Sequence, residues 1–134
     1  MSDEIIINGK DEEKLLEFVG VDNAGGVIYH YQGKPFTGCI EWYDDNGNLE
    51  SEERFIDGHA GGWQREYFPN GQLKSEYYKN FGRIDKHFKT WDENGTLLSH
   101  TIWEDGKRVK AILQTEEMKE NWAKEAAARK RLGL

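Results

Sequence analysis

The chain has a single cysteine, Cys39, and two prolines among 134 residues, and no apolar run approaches the roughly eighteen residues of a spanning helix. One cysteine excludes an intramolecular disulfide and a thiolate zinc cluster, and asks for no oxidising compartment. The opening MSDEIIINGKDEEK is acidic where a secretory leader would be basic, so a cytoplasmic location is the expectation. Basic charge is also short: 18 Lys and Arg stand against 25 Asp and Glu, a net charge of −7. The shortage is uneven, with 21 acidic and 10 basic side chains in residues 1–106 but 4 and 8 in residues 107–134. An acidic body repels nucleic acid and anionic lipid and attracts a basic partner, although such a surface also serves solubility.

Aromatics are plentiful, with five Trp, six Tyr and six Phe, in a chain that is 37% apolar and 32% charged. That mixture and length suit one ordered domain with a thin core and argue against disorder. A shift of twenty-four places aligns the chain with itself. Asn46-Gly47 then meets Asn70-Gly71 and Asn94-Gly95, Leu49 meets Leu73 and Leu97, and Ser51 meets Ser75 and Ser99. Gly58, Gly82 and Gly106 form a further column, and Tyr43, Tyr67 and Trp91 precede the turns. A period of this size marks an array whose units bury their apolar faces on their neighbours.

Each unit reads strand, Asn-Gly turn, strand, Gly turn, with Asn-Gly expected to make the tight reversal. The fold expected is mainly β: hairpin repeats in one elongated, twisted antiparallel sheet, with a short N-terminal cap and a C-terminal helix. In boundaries, residues 1–26 form the cap and 27–110 the array, comprising a half repeat at 27–37 and repeats at about 38–61, 62–85 and 86–110; residues 111–134 form the helix. The run GGWQREYFPNGQLKSEYY at 61–78, with KPFTG at 34–38, resembles the MORN-variant repeats of the YwqK-like antitoxin family. The resemblance covers about residues 27–110 and implies a bacterial antitoxin or immunity protein that neutralises a secreted toxin. The third unit departs from the pattern, with Asp85-Lys86-His87 in place of Gly61-Gly62-Trp63, and Phe81 where Asp57 and Asp105 stand.

At the ends, DEEKLLEFV at 11–19 predicts a short helix offering Leu15, Leu16, Phe18 and Val19 for burial. The stretch from Thr115 predicts a longer one, capped by Thr115, stopped by Gly133 and striped by Met118, Trp122 and Ala126. It either lies on the last repeat or projects as an arm.

Chemistry is sparse. His30, His59, His87 and His100 lack ligand spacing, and His87 shares a repeat column with Cys39, about two strands away. The turns at Asp44-Asp45-Asn46-Gly47 and Asp92-Glu93-Asn94-Gly95 do not follow calcium-loop spacing. No catalytic residue, cofactor or metal is implied. The candidate partner-binding residues are Glu41, Trp42, Tyr43, Asp44, Asp45, Glu50, Glu52 and Glu53, an acidic stretch in which Glu50 and Glu52 share a face and repel in the free protein. The expected partner is a protein, a basic toxin, with no nucleic acid and no membrane; self-assembly as a scaffold or homo-oligomer is the alternative.

Overall fold

A computed structural model describes residues 4–133. The chain begins with β1 (Ile5–Asn8), a 3-10 turn (Gly9–Asp11) and α1 (Glu12–Leu15). A first hairpin follows, β2 (Glu17–Val21) and β3 (Val27–Tyr31), with a short return strand β4 (Lys34–Pro35). Then come β5 (Gly38–Tyr43), β6 (Leu49–Ile56), short β7 (His59–Ala60), β8 (Gly62–Tyr67) and β9 (Leu73–Asn80). The array ends with β10 (Arg83–Trp91), β11 (Leu97–Glu104) and β12 (Lys107–Leu113), followed by α2 (Glu116–Leu132).

The repeat units form one nine-stranded sheet in the order β1-β5-β6-β8-β9-β10-β11-β12, with β7 on β6. The mainly β hairpin architecture is thus as expected, with two differences. β1 joins β5 in parallel, and β2-β3-β4 make a separate three-stranded sheet. The expected half repeat at 27–37 is the second part of a hairpin that begins at Glu17, and its turn at Asp22–Gly26 carries the same hydrogen bonds as the turns at Asp44 and Asp92. That unit lay hidden because Gly25 precedes Gly47 by 22 residues, outside the twenty-four-residue register.

The two turn columns have exchanged roles. At Asp44–Asn48 the Asp44 carboxylate accepts the N–H groups of Asn46 and Asn48, both at 2.9 Å, and only Gly47 takes a positive φ, 83°. Asn-Gly therefore sits in a three-residue loop rather than making the tight reversal. The two-residue reversals are Gln32-Gly33, Asp57-Gly58, Phe81-Gly82 and Asp105-Gly106, with both φ angles positive in each. Their glycines also tie unit to unit: Gly58 N–H donates to the Phe36 carbonyl, Gly82 to Ala60 and Gly106 to Ile84. That ladder accounts for the second glycine column.

The core lies at one end. Ile7, Leu16, Phe36, Ile40 and Phe55 are buried together, with Tyr29, Tyr31 and Trp42 packed around them. The expected helix at 11–19 stops after one turn at Leu15; Leu16 enters the core, but Phe18 and Val19 continue into β2 and stay exposed. β-branched and aromatic residues favour that strand over a helix. α2 is capped by Thr115 and ended by Gly133 as the sequence indicates, yet none of its residues is buried. Its apolar stripe does not seal the sheet. Trp122 instead holds the Arg108 guanidinium 4.0 Å above its ring, and Arg108 pairs with Glu125 at 2.9 Å.

Candidate functional site: grooves between successive hairpins

Cross-strand partners share a face, so the register sorts the side chains. Trp42, Ser51, Glu53, Gln64, Glu66 and Tyr77 fall on the face that carries the core, and Glu41, Glu52, Arg65 and Glu76 on the other. β6 and β8 pair only at Ser51–Glu66 and Glu52–Arg65. Nearer β7, the buried Gln64 side chain closes the gap: its Oε1 accepts the Arg54 N–H and its Nε2 donates to the Arg54 carbonyl, each at 2.9 Å. One side-chain amide thus replaces the peptide group of a missing strand partner. Toward the Asn-Gly turns, the two hairpins part into a groove of about 390 Å³.

Asp44, Glu50, Glu52, Glu53 and Glu66 line this groove, with Tyr67, Phe68, Pro69 and Tyr77 as apolar walls. Two cations offset them. Arg65 is held by Glu76 at 2.7 Å, which raises its pKa further, and the Lys74 ammonium lies 5.6 Å from the Phe68 ring centre. Burial and a hydrogen bond to Glu52 push the Tyr67 phenol up to about 12, so it donates to that carboxylate at every ordinary pH. The backbone N–H of Asn48, with further donors in the same turn, holds Asp44 below the usual carboxylate range. Asp44 therefore remains an anion that anchors its turn.

The eight residues singled out by sequence do not form one patch. Glu41 faces away from the core and accepts the Tyr43 hydroxyl at 3.0 Å, whereas Trp42 packs over Gly9 and donates its indole N–H to Glu53 at 2.7 Å. Asp45 is exposed in the turn, and Asp44, Glu50, Glu52 and Glu53 reach the groove. Glu52 is no free charge, since Arg54 pairs with it at 3.3 Å, and its cross-strand partner is the like-charged Glu41. Glu50 falls at a bulge between the Trp42–Ser51 and Tyr43–Leu49 pairs. Sequence reasoning missed Glu66, Tyr67 and Phe68, though the repeat held the signal: they stand twenty-four residues after Trp42, Tyr43 and Asp44.

A second groove, of about 490 Å³, lies one repeat further on. Phe68, Lys74, Ser75, Trp91, Asp92 and Leu98 line it, where Asp44, Glu50, Ser51, Tyr67, Phe68 and Lys74 line the first. The two linings are related by a shift of twenty-four. Among the repeat-defining serines, Ser99 meets the Thr90 hydroxyl at 2.5 Å, while the buried Ser75 hydroxyl has no partner among the described residues. Leu49, Leu73 and Leu97 open their strands opposite Tyr43, Tyr67 and Trp91, after the turn glycines Gly47, Gly71 and Gly95.

Two further expectations change. Cys39 and His87 lie on β5 and β10, four strands apart in the sheet rather than two, and burial pushes the Cys39 thiol up to about 11. The histidines are not all scattered: His87 pairs across the strands with Ile102 and Lys89 with His100, so the two rings are diagonal neighbours on one face, His87 Nδ1 lying 2.6 Å from His100 Nε2. Burial, Lys89 and His87 together hold His100 below its usual value. Among the described residues, no three His, Cys, Asp or Glu side chains gather as metal ligands, and no helix is long and apolar enough to cross a membrane.

No curated protein and no solved structure matches the chain. The family model described as MORN repeat variant matches residues 36–57 and 62–80, the hairpins β5–β6 and β8–β9 whose turns flank the first groove. MORN repeats are in general protein- and membrane-binding modules without enzymatic activity.

Proposed function

We propose that this chain is a non-catalytic protein-binding module acting in the cytoplasm as an antitoxin or immunity protein, with a basic bacterial toxin as its partner. The observation that carries this reading is the first groove, where five carboxylates face two cations and Arg65 is already engaged by Glu76. Such a surface attracts a nucleic-acid-binding enzyme and competes with phosphate for its cationic groove. Co-expression with the product of the neighbouring reading frame, followed by titration of the purified pair at low and high salt, tests it. The expected outcome is restored growth and tight binding that weakens with salt, and Glu50→Lys with Glu66→Lys should slow association about tenfold or more. A neighbouring product that does not bind, or association indifferent to both reversals, defeats the proposal.

Self-assembly is favoured by a separate observation. β2 exposes Phe18, Val19 and Val21 at the edge of the small sheet, and β12 exposes Val109, Ile112 and Leu113 at the edge of the large one. Apolar edge strands invite pairing with another chain. Sedimentation equilibrium separates the readings: a concentration-dependent oligomer that Val19→Lys or Ile112→Lys dissolves supports the scaffold, and a monomer throughout rejects it.

A further inference from the structure

We infer that the two grooves are consecutive subsites for one linear peptide segment in a polyproline II backbone, with a cationic side chain in the first and an apolar side chain three residues away in the second. The inference rests on the protein-binding reading but not on the partner's being a toxin.

Three features select that ligand. The first is chemistry. Glu50, Glu52 and Glu66 face the first groove, whereas Phe68, Phe88, Trp91 and Leu98 wall the second. The second groove still holds Glu66, Asp92 and Glu93, but repeat translation puts Phe68 and Lys74 where the first has Asp44 and Glu50, so its lining is less acidic.

The second feature is spacing. The subsites are one hairpin repeat apart, which is two strand separations, or about 9.5 Å. Three residues of polyproline II advance about 9.3 Å and return a side chain to the same face. An extended strand repeats its face every two residues, about 6.8 Å, and misses the second groove. A helix reaches the distance only at seven residues, about 10.5 Å.

The third feature is Ser75. It is 7% exposed, lines the second groove and has no hydrogen-bond partner for its hydroxyl among the described residues. The neighbouring Thr90 hydroxyl is already bonded to Ser99. A buried hydroxyl without a partner costs free energy that a ligand acceptor would recover. Polyproline II has no internal hydrogen bonds, so its carbonyls are free to accept from Ser75, while those within a helix are engaged.

The test is fluorescence anisotropy with labelled proline-rich peptides of about twelve residues. One carries Arg and Leu three positions apart, a second carries them two apart, and a third has Glu in place of Arg. The three-apart peptide should bind about tenfold or more tightly than either control. Glu50→Lys should weaken it about tenfold while leaving sensitivity to Leu→Ala in the peptide. Leu98→Asp, at a residue 39% exposed, should abolish that sensitivity while leaving the dependence on Arg. Circular dichroism confirms that both variants remain folded. Equal affinity for the two spacings, absence of binding, or indifference to both substitutions overturns the inference. Peptide binding without capture of the neighbouring product would leave this inference standing and remove the antitoxin reading; capture without peptide binding would do the reverse.

Discussion

The first and third hairpin units share a backbone plan and differ in what lies over it. In the first, Ile40 and Phe55 are 0% and 3% exposed, and Gly9 presses against the Trp42 ring, because the 3-10 turn, Leu16 and the leading hairpin pack over that face while β1 extends the sheet beside β5. Their counterparts forty-eight residues on, Phe88 and Trp103, remain only half-buried. Phe88 stacks on Tyr77 with centroids 4.8 Å apart and lies 6.4 Å from Trp103, so this unit is held by cross-strand aromatic pairs rather than by a core. The repeat specifies strands and turns, and the cap decides which unit becomes the stable nucleus. The open unit keeps aromatic surface available to a ligand as a result.

Paired truncations test that contrast most directly. Ile40→Ala should cost about 3–4 kcal/mol in urea unfolding, and Phe88→Ala, although it removes a larger side chain, about 1–2 kcal/mol. Equal losses would mean that the far unit has a core of its own.

The glycine staples give a smaller, sharper comparison. A Cβ at Gly82 would stand 2.4 Å from Asp22 Oδ2, whereas one at Gly106 would meet nothing nearer than 3.7 Å, the Arg83 Cβ. Asp22 has little room to withdraw. Burial raises its pKa, but the N–H groups of Gly26 and Ala24 and the His59 ring outweigh that and hold the carboxyl below its usual range. Both Gly→Ala changes carry the strain of positive φ, about 1 kcal/mol, and Gly82→Ala should cost roughly twice as much as Gly106→Ala in the same urea assay. A reversed order would show that the leading hairpin is not locked onto the second unit.

The smallest effect has the opposite sign. Phe81 has a φ of 47° and is 62% exposed, an unfavourable conformation for a bulky residue that asparagine accepts readily. Phe81→Asn should raise stability by about 0.5 kcal/mol, seen as a higher Tm. A lower Tm would show that the edge contact with His59, centroids 5.4 Å apart, outweighs the strain.

Periodicity made the hairpins, their order and the C-terminal helix legible, because strand alternation, turn glycines and helix caps act within a few residues. It misassigned the turns, since Asn-Gly serves either a two-residue or a three-residue loop, and the longer one forms both where a carboxylate braces it, at Asp44, and where none does, at Phe68–Gln72. The acidic stretch at 41–53 was visible as charge, but strand alternation sends Trp42 and Glu53 to one face and Glu41 and Glu52 to the other. The groove itself is composed of residues from two hairpins, so no single run of sequence contains it.

By itself, the amino-acid sequence determined the repeat, the mainly β architecture and the acidic charge of the body. Only the tertiary structure decided that the core sits at one end, that Gln64 bridges the Arg54 backbone and that the Ser75 hydroxyl is buried without a partner among the described residues. The division has a physical cause. Turn and strand preferences are set by neighbours along the chain, whereas burial and hydrogen-bond satisfaction depend on which distant segment arrives to cover each face.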